Sequence, residues 1–314
     1  MSPEAGKSEI IKDAQPTNWV DGSAPQFLRP YLKLARADRP IGVWLLLWPC
    51  WWSLMLAAPY YEGSFLSLLG LMGLFALGAY VMRGAGCTYN DIVDKDYDGK
   101  VDRTAKRPIP SGQVSLVQAW GFLIFLSLVG FAVLIQMNVF TIGLGVASLG
   151  LVALYPFMKR LTWWPQAFLG LTFNWGALMG WSAIVGELSA APVFLYIGAI
   201  LWTLGYDTIY AHQDKEDDAL IGIKSSARKL EEKTVPFLSV VYSLALLFFV
   251  AAGVAAGLHW MFYIFLLLFA AHLTWQIRVL DIADPENCLG AFRSNRDAGA
   301  LLFFACFLGA VPLT

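Results

Sequence analysis

Residues 65–98 read FLSLLGLMGLFALGAYVMRGAGCTYNDIVDKDYD, and this stretch decides the fold. Up to Tyr89 it is apolar or small, with Arg83 as its one charged residue. That exceeds the ~20 residues needed to cross a bilayer. Hydrocarbon requires every backbone amide to find a partner within the segment, which a helix supplies. The alternation of a membrane β-strand is absent, here and along the chain, which argues against a barrel. Then the character changes. Asn90, Asp91, Asp94, Asp96 and Asp98 crowd into nine residues, so the span ends in an acidic mouth.

The rest of the chain has the same composition. Of 314 residues, 58% are hydrophobic and 14% charged, against roughly 45–50% and about 25% in soluble domains. Mean hydropathy is +0.58. A soluble globule this apolar would leave large greasy patches in water, and a disordered chain would not carry so much to bury. A net charge of −1 excludes the basic field of a nucleic-acid binder. Nine apolar stretches follow, at about Ile41–Pro59, Phe65–Cys87, Val114–Gln136, Val139–Phe157, Gln166–Val185, Pro192–Ala211, Val235–Gly257, Trp260–Ile277 and Ala298–Leu313. The expectation is an all-α, polytopic membrane protein with nine transmembrane helices around a central cavity.

All 22 Lys and Arg fall before span one, near the end of span two, or in the connections after spans two, four, six and eight. The connections after the odd-numbered spans have none, which places the N-terminus inside and the C-terminus outside. Residues 1–26 are expected to be a poorly ordered extension, and 27–314 the membrane domain. Within it, Phe27–Arg39 should form an amphipathic helix at the inner surface, with Leu28, Tyr31, Leu32 and Leu34 in the interface. No apolar signal region precedes span one, and the look of a transit peptide is missing. This favours a bacterial inner membrane, with a processed mitochondrial form as the alternative. Cys50, Cys87, Cys288 and Cys306 form no CxxC pair and read as free thiols.

A second acidic run, Asp214-Lys-Glu216-Asp217-Asp218, follows span six on the same side. Residues four apart share a helix face, so Asn90, Asp94 and Asp98 align, as do Asp214 and Asp218. Arg83 lies seven residues before Asn90, and Asp207 seven before Asp214, about 10.5 Å deeper into the membrane. Ionisable residues inside a span default to a functional reading, with a structural ion pair as the alternative. Hard oxygen ligands in such number suit Mg²⁺ that bridges to phosphates. Lys159, Arg160, Lys224 and the Arg103–Arg107 stretch are cations on that side, fit either for phosphate oxygens or for fixing topology. Residues 65–98 and 192–218 each give a span, a turn and an acidic face, a parallel internal repeat.

These residues resemble a known family. Asn90-Asp91-x-x-Asp94-x-x-x-Asp98, then Arg103-Thr-x-Lys-Arg107-Pro108-x-Pro-Ser111-Gly112, looks like the first signature of the UbiA-type intramembrane prenyltransferases. Tyr206-Asp207-Thr-x-Tyr210-Ala-x-x-Asp214-x-x-Asp217-Asp218, then Ile221-Gly222-Ile-Lys224-Ser225, is similar to the second. Arg39-Pro40-Ile41-Gly42, Leu47-Trp48-Pro49 and Tyr155-Pro156-Phe157-Met158-Lys159-Arg160 look like its 4-hydroxybenzoate polyprenyltransferase branch. Glu216 stands where relatives commonly have Asp, and it keeps the charge. The resemblance implies a membrane enzyme of ubiquinone biosynthesis that joins 4-hydroxybenzoate to a polyprenyl diphosphate. It further implies that Asn90, Asp94, Asp98, Asp214 and Asp218 bind Mg²⁺. Lys159, Arg160, Lys224, Arg103 and Arg107 would contact the diphosphate. Asp94, Asp98, Asp214, Asp218, Asp207 and Arg83 make up the candidate catalytic set. A transporter would place its charges at mid-depth rather than in loops on one side, and the compact D-G-x-x-A-R run of CDP-alcohol phosphotransferases is missing. A sibling accepting haem, homogentisate or dihydroxynaphthoate stays open.

Overall fold

Apolar runs of this length fold as helices, and each predicted span is helical in the computed structural model, which describes residues 17–99, 104–220 and 222–311. Two short helices come first, α1 (Trp19–Gly22) and α2 (Arg29–Leu34). Then follow α3 (Ile41–Ala57), α4 (Phe65–Val93), α5 (Lys95–Asp98), α6 (Leu116–Leu134) and α7 (Val139–Leu161). The fifth predicted span is split into α8 (Pro165–Phe173) and α9 (Gly176–Val185), and α10 (Ala190–Ala211) is the sixth. After α11 (Lys215–Leu220) and α12 (Ser226–Leu230) come α13 (Thr234–Ala256), α14 (Trp260–Val279), α15 (Pro285–Arg293) and α16 (Asn295–Ala310). Among the described residues, eight segments are long and apolar enough to cross a membrane. The ninth apolar stretch forms α16, whose 16 residues rise about 24 Å, short of the ~30 Å hydrocarbon core.

The chain divides into two compact units, one of the described residues up to Val43 with Leu77–Val133, the other Trp44–Ala76 with Leu134 onward. In the first, Leu34, Ile92, Val114 and Ala119 are buried together beside Tyr31 and Phe122. Two of the four side chains expected in the interface, Tyr31 and Leu34, are instead packed inward. Leu34 is wholly buried and the Tyr31 ring meets Phe122 edge-on at 5.3 Å, so both belong to the core. The exposed apolar side chains are Trp19, Phe27 and Leu28. Periodicity shows which residues share a face but not which element covers it. Fixed structure also begins before residue 27. Asn18 caps α1 by accepting from the Asp21 N–H, Val20 is fully buried, and Lys33 pairs with Asp21 at 2.7 Å.

In the second unit the core is aromatic. Trp52, Trp202, Phe249 and Phe269 are fully buried, and Trp52 lies 5.2 Å from Trp202 and 6.0 Å from Phe249 between centroids. Each indole N–H is satisfied, Trp52 donating to the Gly299 carbonyl at 2.8 Å and Trp202 to Asn295 Oδ1 at 2.9 Å. α10 lies against α13 through two glycines. A Cβ at Gly198 would stand 2.8 Å from the Phe249 ring, and one at Gly205 would collide with Tyr242. Small residues let membrane helices approach closely enough for dispersion to hold them.

The break in the fifth span falls at Asn174, a fully buried residue. Its side-chain amide donates to the Gly170 carbonyl at 2.8 Å and to Thr203 Oγ1 at 2.7 Å. A side chain that bonds its own backbone offers an alternative to the helical ladder, and here α8 stops one residue earlier. All four cysteines are free and buried, as expected.

Candidate active site

The first acidic signature grows directly from the spanning helix. α4 continues past Cys87 to Val93, so Asn90 and Asp91 sit on the span itself rather than in a following connection. The Asp94 N–H still donates to the Asn90 carbonyl at 2.9 Å, which keeps these two residues on one face. Asp94 is fully buried. The Asp98 side chain and all of Arg103 lie outside the described residues.

Asp91 has a different role from its neighbours. It is fully buried, and its Oδ1 accepts from Arg36 Nη2 at 2.6 Å and from Arg107 Nη1 at 3.3 Å. Burial disfavours the Arg36 charge, but Asp91 and, less strongly, Asp38 outweigh it and push the guanidinium above its ordinary range. Arg36 also takes a left-handed backbone, φ +58°, which costs a non-glycine residue roughly 1–2 kcal/mol. The loop after Arg107 is turned by the Ser111 N–H donating to the Arg107 carbonyl at 3.0 Å and by Gly112 at φ +76°.

Arg83 lies two turns before Asn90 on the same helix. Its guanidinium rests over Gly42 at the start of α3. A Cβ there would stand 2.8 Å from Nη2 and 2.9 Å from Cζ. The glycine in Arg39-Pro40-Ile41-Gly42 is thus the floor on which Arg83 sits.

In the second unit, α10 carries Asp207 and ends at Ala211. A 3₁₀ turn over His212–Asp214 then leads into α11. This modifies the expected face. Three residues at 120° rather than 100° each turn Asp214 about 60° away from the line through Asp207. The side chains of Asp214 and Asp218 lie outside the described residues. Among the described residues no three His, Cys, Asp or Glu gather as a metal site. Of the expected donors, Asn90 and Asp94 lie one turn apart on the chain, and their oxygens are of the hard type that Mg²⁺ takes. His212, just beyond the span, bonds Thr234 Oγ1 through Nε2 at 3.0 Å. Burial, with Lys215 nearby, holds its imidazole down at about 4, so it is neutral near pH 7. Histidine count and spacing alone gave no signal for this contact.

Three predicted diphosphate contacts are brought together. Lys159 and Arg160 end α7, and the Lys224 N–H donates to the Lys159 carbonyl at 3.0 Å, while Lys224 Nζ reaches the Leu161 carbonyl at 3.4 Å. The segment after Lys224 is pinned from two sides. Ser226 donates its N–H to Gln166 Oε1 at 3.2 Å, and its hydroxyl meets Thr208 Oγ1 at 2.7 Å.

Residues 46–308 match the sequence profile of the UbiA prenyltransferase family. The chain belongs to that family. Its UbiA-type relatives include the protein named "4-hydroxybenzoate polyprenyltransferase, mitochondrial" of Arabidopsis thaliana, 46% identical over 307 residues, 98% of this chain and 74% of the relative. The Homo sapiens protein of the same name is 50% identical over 292 residues, 92% of this chain and 78% of that one. In fold, the chain is similar to an apo UbiA homolog from Aeropyrum pernix K1, with TM-score 0.70 at 24% identity, covering 83% of this chain and 96% of the other. A UbiA homolog from Archaeoglobus fulgidus bound to DMAPP and Mg²⁺ superposes with TM-score 0.64 at 18% identity, covering 88% and 97%. The chain is a multi-pass membrane protein of this prenyl-transferring fold.

Proposed function

We propose that this chain transfers a polyprenyl group from polyprenyl diphosphate to the ring carbon ortho to the hydroxyl of 4-hydroxybenzoate, releasing diphosphate, in ubiquinone biosynthesis. The near-full-length identity with the plant and human relatives of that name carries the reading. The joining of Lys159 to Lys224 supports it locally.

Asn90, Asp94, Asp98, Asp214 and Asp218 would hold Mg²⁺, which when bound draws charge from the leaving diphosphate. Lys159, Arg160 and Lys224, with Arg103 and Arg107, stabilise the same oxygens as the allylic C–O bond ionises. Exclusion of water would keep the cation from being captured, and aromatic faces would stabilise it. The ring carbon forms the new C–C bond, and its proton then leaves to a base. Arg83 and Asp207, two turns deeper, belong where the ring sits. The Lys and Arg distribution supports an inside N-terminus, with both clusters at the inner surface. The relatives' names weigh toward a mitochondrial membrane over the bacterial one.

Membranes carrying the chain should be incubated with Mg²⁺, geranyl diphosphate and a panel of aromatic acids. 4-Hydroxybenzoate should be prenylated and benzoate should not, because the hydroxyl supplies electron density to the attacked carbon. Product from benzoate at a comparable rate would refute electrophilic substitution. Prenylation of homogentisate in place of 4-hydroxybenzoate would move the acceptor to a sibling activity.

A further inference from the structure

Asp91 sits inside the first acidic signature, between two residues read as metal ligands, yet its surroundings are those of an ion clamp. One helical step turns it about 100° from Asn90. It is sealed from solvent there, and the next residue, Ile92, belongs to the buried cluster of Leu34, Val114 and Ala119. Its Oδ1 already serves two guanidinium groups, Arg36 at 2.6 Å and Arg107 at 3.3 Å. Removing this carboxylate would take from Arg36 its partner at 2.6 Å in a buried setting, a cost that sets Asp91 apart from a carboxylate held for a cation on the Asn90–Asp94 face.

Arg36 supplies an independent observation. It stands just past the end of α2, where the Ala37 N–H returns to the Leu32 carbonyl at 2.9 Å and the Arg36 N–H to Lys33 at 3.1 Å. This pattern of closing bonds, with a left-handed residue, ordinarily carries glycine. Arginine persists there because its side chain is engaged twice, Nη1 with the Lys33 carbonyl at 3.0 Å and Nη2 with Asp91. A strained residue survives when its surroundings over-determine it. Three separate stretches of chain thus meet on one carboxylate: the turn that ends α2, the span bearing Asn90 and Asp94, and the loop that begins at Arg107.

We infer that Asp91 is a positioning residue of the prenyl-transfer site, which through Arg36 and Arg107 fixes the metal-binding face of α4 and the Arg107 loop in one arrangement. The inference rests on the reading of Asn90 and Asp94 as ligands. It makes α2, which holds none of the assigned site residues, part of the framework that sets diphosphate affinity.

Asp91→Asn, Arg36→Gly and the double variant would test this. Glycine suits the left-handed position, so Arg36→Gly relieves backbone strain while it opens the clamp. Each single variant should raise KM for prenyl diphosphate about tenfold or more. The Mg²⁺ concentration for half-maximal rate should stay within twofold, and the double should be no worse than the worse single, as expected for groups acting as one unit. Asp91→Glu should restore part of the loss. Trypsin gives a readout that needs no turnover, since Lys106 is exposed beside Arg107. Cutting there should speed up in both single variants, whichever acceptor the enzyme uses. A tenfold rise in the Mg²⁺ requirement of Asp91→Asn that is absent from Arg36→Gly would make Asp91 a ligand and overturn the proposal. So would unchanged cutting, additive effects in the double, or wild-type kinetics in Arg36→Gly.

Discussion

Replacing Gly42 with alanine separates the role of Arg83 in chemistry from any role in folding. The new methyl group would stand 2.8 Å from Nη2, where ordinary contact begins near 3.4 Å. Nε lies nearer still to that methyl group, so the guanidinium must retreat by about 1 Å to reach ordinary contact. Because the obstacle is the far end of a flexible side chain, the backbone need not move. Alanine is also favoured over glycine in a helix by roughly 0.5–1 kcal/mol, so the melting temperature in detergent should hold or rise slightly. Turnover should not hold. A misplacement near 1 Å at a reacting centre costs about 10²-fold, so this shift should lower kcat/KM for 4-hydroxybenzoate by about 10- to 100-fold, roughly 1.4 to 2.7 kcal/mol in the barrier. The measurement pairs thermal melting with steady-state kinetics on the same preparation. Activity within twofold of wild type would refute the argument that Arg83 is held for chemistry. Loss of activity together with a fall in melting temperature would show that Gly42 serves packing instead.

Asp94→Ala and Asp214→Ala should each abolish transfer while leaving membrane insertion intact, and EDTA should do the same to the wild type; turnover in EDTA would exclude the metal role. Arg83→Met combined with Asp207→Asn should give a folded but inactive protein, whereas recovery of activity in the double over the singles would reveal a structural pair. Gly205→Ala should cost about 1–3 kcal/mol, because the Tyr242 ring must shift in a close-packed contact. Gly150→Ala, with open space at its Cβ, should be neutral in the same melting assay and so serves as its control.

The helices and both acidic runs were legible because hydropathy and residue spacing are properties of single segments. What escaped reading depended on partners distant in sequence. Asp91 looks like Asp94 in the string, and only its burial against Arg36 and Arg107 separates them. Leu34 and Leu28 share an apolar character, yet α6 covers one and leaves the other exposed. The 3₁₀ turn after Ala211 shifts Asp214 around the axis without altering the spacing by a residue. Asn174 breaks a span that is apolar on either side, through bonds to Gly170 and Thr203.

The paired glycine seats on α10 work as a ruler for depth. Gly198 receives Phe249 and Gly205 receives Tyr242, so seven residues on one helix are matched by seven on its antiparallel neighbour. Each pair of notches is about 10.5 Å apart, and a slip of one turn, 5.4 Å, would drive both rings into side chains together. Neither ring can therefore find a second resting place while the other keeps its own. The C-terminal end of α10, from which the second acidic run departs, is held at one height along α13. The height along α13 at which the second acidic run leaves α10 is thus set by two missing methyl groups on the helix that leads to it.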